Sequence, residues 1–214
     1  MMETISIMQD TPFDTASDLN DRIAQRVRDL RAERGLSLGA LATQCGVSRS
    51  MISLIERGEA SPTAVVLERL ATGLNVTLAS LFDTPRPTSE PVARLANQAS
   101  WRDPHSGYVR RNVSPMFASS MAGSHVTSPI QIVEVSFPAK ARVAYETAAR
   151  EPQVHQQVWV LEGAIDVTVG DEPCRLKFGD CLALVLDRPV TFHNPTRKVA
   201  RYAVVIAILP FSAR

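Results

Sequence analysis

No stretch of this chain reaches the roughly 18–20 consecutive apolar residues that cross a bilayer as a helix. The acidic start also lacks the basic-then-apolar order of a secretion signal, and both absences point to the cytoplasm. Cysteine is scarce. Cys45, Cys174 and Cys181 are an odd number with no C-x-x-C pair, which suits no zinc cluster and reads as reduced thiols, mostly buried. Charge of one sign is missing as well. The formal net charge of 214 residues is +1, so the chain as a whole has no field for holding polyanions, and nucleic-acid binding would need a local surface. One such surface lies between Arg22 and Arg69, where eight arginines face Asp29, Glu33, Glu56, Glu59 and Glu68, a modest excess of three.

The organising stretch is Gly35 to Gly58, G-L-S-L-G-A-L-A-T-Q-C-G-V-S-R-S-M-I-S-L-I-E-R-G. Leu38, Leu41 and Ala42 share one face of a short helix, and Met51, Ile52 and Ile55 share one face of a second. Gly46 between them supplies the left-handed turn that lets one helix stop and the next begin within about three residues. Ser48 caps the second helix, whose first turns expose Arg49, Ser50 and Ser53. A helix entering the major groove by its N-terminus needs such groups, hydroxyls and N–H groups for phosphates and a long cationic donor for base edges.

These residues, in the order G-L-S-x-x-x-L-A-x-x-x-G-V-S-R-S-x-I-S-x-I-E-R-G, resemble the Cro/C1 (Xre) family of helix-turn-helix DNA-binding domains over roughly residues 20–83. The resemblance implies sequence-specific DNA binding, with Ser37, Ser48, Arg49, Ser50, Ser53 and Arg57 at the DNA. It also implies that Glu56 pairs with an arginine of the first helix, leaving Arg57 for a phosphate. Many relatives brace the DNA backbone with a Gln where this chain has Leu38.

Taken in order, residues 1–14 mix Asp, Thr and Pro without a period and read as an arm. Leu19, Ile23, Val27 and Leu30 mark a first helix starting near Thr15 or Ser17. Ser61-Pro62 reads as cap and first residue of the fourth helix, with Val65, Val66, Leu67, Leu70 and Leu74 buried. Asn75 stops it, and Thr77 caps a last short helix ending at Leu81-Phe82. The sum is a five-helix, lambda-repressor-like domain over 15–83. Pro85, Pro87 and Pro91 make 84–100 a linker.

From Trp101 the period becomes two. Gly107–Ser114, Ile130–Phe137, Val154–Leu161, Ala164–Val169, Cys174–Phe178, Cys181–Leu186, Val190–His193 and Ala200–Leu209 read as strands of a barrel or jelly roll. Within them V-W-V-L-E-G-A-I-D-V-T-V-G-D, L-K-F-G-D-C-L-A-L and P-V-T-F-H-N-P resemble the cupin family, over about 105–210. The implied fold class is multidomain α + β: a helix-turn-helix head, a linker, and a double-stranded β-helix (cupin) barrel over 101–214, the layout of one group of bacterial transcriptional regulators.

Metal-binding cupins use H-x-H, a Glu, and a late His aimed into the barrel. Aligned on Gly163, this chain has Arg150, Pro152 and Gln156 at the first three places and keeps only His193. Using His155 instead leaves Trp159 where a carboxylate is needed. No metal, cofactor or catalytic residue is therefore expected. His155 and His193 stay open between hydrogen-bonding structural roles, an effector pocket and a weak metal site; Trp159 reads as core, and His105 and His125 as solvent-facing. Tyr145, Arg150 and Gln156, with the two histidines, are candidate pocket residues for a small acid. The expected protein is a homodimeric operator-binding regulator whose barrel senses a small molecule or dimerises. The alternatives are a metal-dependent enzyme, since an iron-dependent phosphonate epoxidase shares this layout, and an antitoxin-like interaction module. An open pocket favours sensing, and a filled barrel favours the interaction module.

Overall fold

In a computed structural model, residues 16–82, 91–115, 118–121, 124–148 and 153–209 are described. The head contains four α-helices, α1 (Ala16–Glu33), α2 (Leu38–Cys45), α3 (Arg49–Glu56) and α4 (Ala64–Gly73), followed by a 3-10 turn, Ala79–Phe82. The expected fifth helix is that turn. Thr77 does cap it, its Oγ1 accepting from the Ser80 N–H at 3.1 Å, but A-S-L-F is too short to close α-helical turns. Leu19, Ile23, Val27, Leu41, Ile52, Ile55, Leu67, Leu70 and Leu74 form the core of the head. Met51, expected among them, is 37 % exposed. The α4 cap also differs from expectation. Thr63 Oγ1 accepts from the Val66 N–H, while Ser61 accepts from Asn20 Nδ2 at 3.0 Å. Asn75 takes the left-handed conformation, φ 50°, that stops the helix.

The barrel strands are β1 (Ser100–Arg102), β2 (Val109–Asn112), β3 (Ala118–Met121), β4 (Ser124–Thr127), β5 (Ile130–Phe137), β6 (Arg142–Tyr145), β7 (Gln153–Glu162), β8 (Ala164–Val169), β9 (Glu172–Lys177), β10 (Cys181–Val185), β11 (Val190–His193) and β12 (Ala200–Leu209). They form a six-stranded sheet, β1-β2-β5-β12-β7-β10, a four-stranded sheet, β6-β11-β8-β9, and the hairpin β3-β4, antiparallel throughout. β1, β3, β4 and β6 were not expected. β1 begins at Ser100, the last residue of the stretch read as linker, and the 3-10 turn Leu95–Asn97 lies within that stretch, whose residues 84–90 lie outside the described ones. Val133, Val135, Phe137, Val158, Val160, Ile165 and Val167 alternate inward, as strands with one buried face require.

Asn194, at the end of β11, is fully buried and works as a staple. Its Nδ2 donates to the carbonyls of Phe137 and Lys198 at 3.0 and 2.9 Å, and its Oδ1 accepts from the N–H and hydroxyl of Thr196. Of the three thiols, Cys45 is buried, Cys174 half-buried and Cys181 exposed, so the expectation of mostly buried cysteines holds for Cys45 alone.

The head docks on the barrel through specific contacts. Asp103 Oδ1 accepts from the Ala64 N–H at 2.8 Å, Arg69 pairs with Glu146, and Thr77 Oγ1 meets Gln131 Oε1 at 3.2 Å. Phe82 begins an aromatic chain that runs through Trp101, Tyr108, Phe137, Tyr202 and Phe192 to Tyr145, with neighbouring rings 5.6–6.2 Å apart.

Candidate nucleic-acid interface and barrel cavity

The reading unit is built by α2, α3 and the turn between them. Ser37 Oγ accepts from the Ala40 N–H at 3.0 Å, and Gly46 ends α2 at φ 64° with its N–H on the Ala42 carbonyl. Ser48 then starts α3 by accepting from the Met51 N–H at 3.2 Å, and its hydroxyl lies 3.2 Å from that of Ser50. Ile52 and Ile55 anchor the helix inward, so Ser48, Arg49 and Ser50 stand exposed along its N-terminal edge, with Ser53 half-buried one turn on. Ser37 is exposed at the start of α2.

Two charged contacts orient α3. Arg31 grips the buried Glu56 with two bonds, Nε to Oε1 at 2.6 Å and Nη2 to Oε2 at 2.7 Å, and holds the Leu36 carbonyl at 2.9 Å. The hydrogen bond to Glu56 pushes the Arg31 guanidinium pKa up against the opposing effect of burial. This is the internal pair that the family resemblance implies. Arg57 is exposed, yet Glu59 holds it with two bonds of 2.8 Å, and its Nη1 donates to Ser53 Oγ at 2.5 Å. That pairing raises the Arg57 pKa and lowers that of Glu59. Arg57 therefore sits in a surface ion pair, not as the uncommitted cation expected.

The barrel encloses a cavity of about 60 Å³, several times the space of one water at roughly 10–15 Å³ on this measure. Tyr145 and Gln156 line it, alongside Tyr108, Tyr202, Arg110, Thr147, Val154, Leu186 and Phe192. His155 and His193 do not. In β7 it is Val154, Gln156, Val158 and Val160 that face in, and His155 pairs in register with Val185 and Ala207 on the outer face. In β11, Val190 and Phe192 face in, and His193 stands outside with its Nδ1 3.7 Å from Asp166 Oδ2. The alternations V-H-Q-Q-V-W-V and V-T-F-H carry this signal in the sequence itself. Trp159, expected in the core, is 50 % exposed for the same reason. Arg150 lies outside the described residues, as does the side chain of His125; His105 is exposed. Among the described residues, no three His, Cys, Asp or Glu side chains gather as a metal site.

Sequence reasoning missed three kinds of cavity residue. Arg110 on β2 looks in sequence like an ordinary solvated cation, yet it is buried with its guanidinium carbon 5.1 Å from the centre of the Phe82 ring. Tyr108 and Tyr202 carry no local polar pattern; burial pushes the Tyr108 phenol up to about 12 and holds Tyr145 and Tyr202 well above the usual value. Glu68, Thr77 and Leu78 come from the head and reach the cavity only through the docking of α4. Nothing local in the sequence signals that contact.

A capped two-helix reading unit with a polar outer edge, docked on a hollow antiparallel barrel, defines a DNA-binding protein of the helix-turn-helix class. The helix-turn-helix family HTH_3 matches residues 27–81. The chain is 26 % identical to the HTH-type transcriptional regulator SutR of Escherichia coli over 86 % of its own length and 93 % of that protein. It is 34 % identical to the control protein C.MunI of a Mycoplasma species over 31 % of its length and 90 % of that protein. A crystal structure of an HTH_3 family transcriptional regulator from Vibrio cholerae is similar over 91 % of this chain and 99 % of that one, at 25 % identity and a TM-score of 0.70. The chain belongs to the HTH_3 helix-turn-helix family and is a transcriptional regulator with an antiparallel β-sheet C-terminal domain. No helix among the described residues is long and apolar enough to cross a membrane.

Proposed function

We propose that the protein works in the cytoplasm as a homodimer that reads an operator with the N-terminal edge of α3, and that a small molecule in the barrel cavity shifts operator affinity. The observation carrying this reading is the division of α3 into a buried Ile52–Ile55 side and an exposed Ser48, Arg49, Ser50 edge. Arg49 is the base-reading donor, and Ser37, Ser48, Ser50 and Ser53 contact phosphate oxygens. Arg57 joins them by exchanging Glu59 for a phosphate. Phosphate contacts set register, and the guanidinium supplies discrimination.

Two features support the rest. The open cavity favours a sensing barrel over one filled by side chains, and Tyr145 and Gln156 are its polar anchors. The outer face of the six-stranded sheet sets Ile132, Val205 and the exposed Trp159 on β5, β12 and β7, an apolar surface on which two copies can pair. A ligand that binds one spacing of the two heads better than another changes operator affinity by that difference.

The test is selection of binding sites from a random duplex pool with the full-length chain. The reading predicts enrichment of inverted half-sites about 34–36 Å apart, one helical turn. Enrichment of a single, non-repeated half-site bound by one copy contradicts the dimer, and no enrichment contradicts operator reading.

A further inference from the structure

We propose that the cavity is a seat shared between head and barrel, made for a small molecule of no net charge with an apolar body. This deepens the sensing role proposed above and rests on it. Two charged side chains line the cavity, and their signs balance: Glu68 comes from α4 of the head and Arg110 from β2 of the barrel, and both are buried. They act on one place. Arg110 favours the Tyr108 phenolate, whereas Asp103 and Glu68 favour the protonated phenol; Asp103 lies outside the lining, its carboxylate held by the Ala64 and Ser106 N–H groups. With that balance among buried side chains, a ligand carrying a net charge would bring an uncompensated ion into a region of low dielectric.

The remaining polar groups are neutral donors and acceptors. The hydroxyls of Tyr108 and Tyr145 lie 3.1 Å apart, and Gln156 offers an amide. Val135, Val143, Val154 and Ile206 close the other sides, which suits a short branched hydrocarbon chain bearing an uncharged hydrogen-bonding head.

The head supplies Glu68, Thr77 and Leu78 to these walls. A ligand there touches both domains, so its binding energy depends on how the head is docked, and by reciprocity the docking depends on the ligand. α4 also packs on α2, since a Cβ on Gly73 would lie 2.7 Å from Cys45 Cβ. The cavity is thus one helix away from the reading unit.

Isovaleramide, isovalerate and isoamylamine share one branched body with a neutral, anionic or cationic head, and their binding to the full-length protein can be titrated by NMR. The proposal predicts that the amide binds at least about tenfold tighter than either ion, some 1.4 kcal/mol. In Glu68→Gln, Arg110 is left as the one charged side chain lining the cavity, so the order reverses in favour of isovalerate. Because the three probes are compared on one variant, a general loss of stability cancels. Leu78→Phe provides a second check by filling the head side of the cavity, and it should abolish amide binding.

A wild type that prefers either ion, binds none of the probes, or keeps its order in Glu68→Gln and its amide binding in Leu78→Phe overturns the proposal. Operator affinity measured alongside separates the two readings. Release of DNA by isovaleramide with an unchanged order in Glu68→Gln keeps the sensing role and rejects the shared seat. The predicted reversal with operator affinity untouched keeps the seat and rejects sensing.

Discussion

Asp103, a buried carboxylate of the barrel, accepts a hydrogen bond at 2.8 Å from the N–H of Ala64, the first residue of α4 in the head. A helix N-terminus is a favourable place for negative charge and has N–H groups lacking partners within the helix. The other Asp103 oxygen accepts from the N–H of Ser106 at 2.7 Å and from its hydroxyl. One side chain therefore caps a helix in one domain while ordering a turn in the other.

Asp103→Ala leaves the buried Ala64 donor without that acceptor and should destabilise the protein by about 1–3 kcal/mol. Asp103→Asn, which keeps an acceptor, should lose less. Urea melts of the full-length variants provide the comparison, and equal stability of Asp103→Ala and wild type would remove this carboxylate from the docking contact.

At Gly73, two effects of a substitution oppose each other. Alanine in a helix gains about 1 kcal/mol over glycine. Its Cβ, however, would approach Cys45 Cβ to 2.7 Å and the Cys45 backbone to 3.2 Å, an overlap that typically costs about 1–3 kcal/mol. The backbone of α2 cannot turn aside as a flexible side chain can, so overlap wins. Gly73→Ala should lower the melting temperature, and a rise would show that α2 and α4 separate easily.

All three tyrosines of the chain line the cavity, Tyr108 and Tyr202 buried and Tyr145 half-buried. Burial disfavours the phenolate, which raises Tyr108 from 10.0 to about 12 and carries the other two upward. With the folded value above the unfolded one, this stabilising contribution is complete below about pH 10 and is lost as pH climbs toward 12. Ultraviolet titration should find almost no phenolate at pH 10, where a free tyrosine is about half ionised. Ionised phenols should appear together with loss of ellipticity. A smooth titration near 10 in folded protein would mean that the cavity is wet.

Arg57 and Glu59 form an exposed pair, so a phosphate competes with a carboxylate for the same guanidinium. Glu59→Gln removes the competitor. Affinity for all duplexes should rise, and the dependence on salt concentration should steepen by about one unit of log–log slope. An unchanged slope would place Arg57 away from the DNA.

Much of the head was legible because its chemistry is local. The alternation of Leu41, Ile52 and Ile55 with exposed hydroxyls, the glycine at 46, and the caps Ser37, Ser48 and Thr77 all act within one or two helical turns. Strands β5, β8, β11 and β12 run between the residues their alternation marks. β1 and β6 span only three and four residues, too few alternations to stand out from loop. His155 and His193, left open between structural, pocket and metal roles, lie on the outer face of their strands, the side opposite Val154 and Val158 and opposite Val190 and Phe192. Glu68 and Arg110 were beyond reach for a different reason. A charged residue on a helix or a short strand is ordinarily solvated, and only the docking of two domains, distant in sequence, buries this pair.

Arg49 gives the most direct test of DNA reading. With a site recovered by selection, titrations of wild type and Arg49→Ala against that site and a shuffled duplex isolate the base-reading contribution. The variant should lose about 1–3 kcal/mol on the selected site and little on the shuffled one. Equal affinity of the two proteins for the selected site would contradict the assignment of the α3 edge as the part that reads DNA.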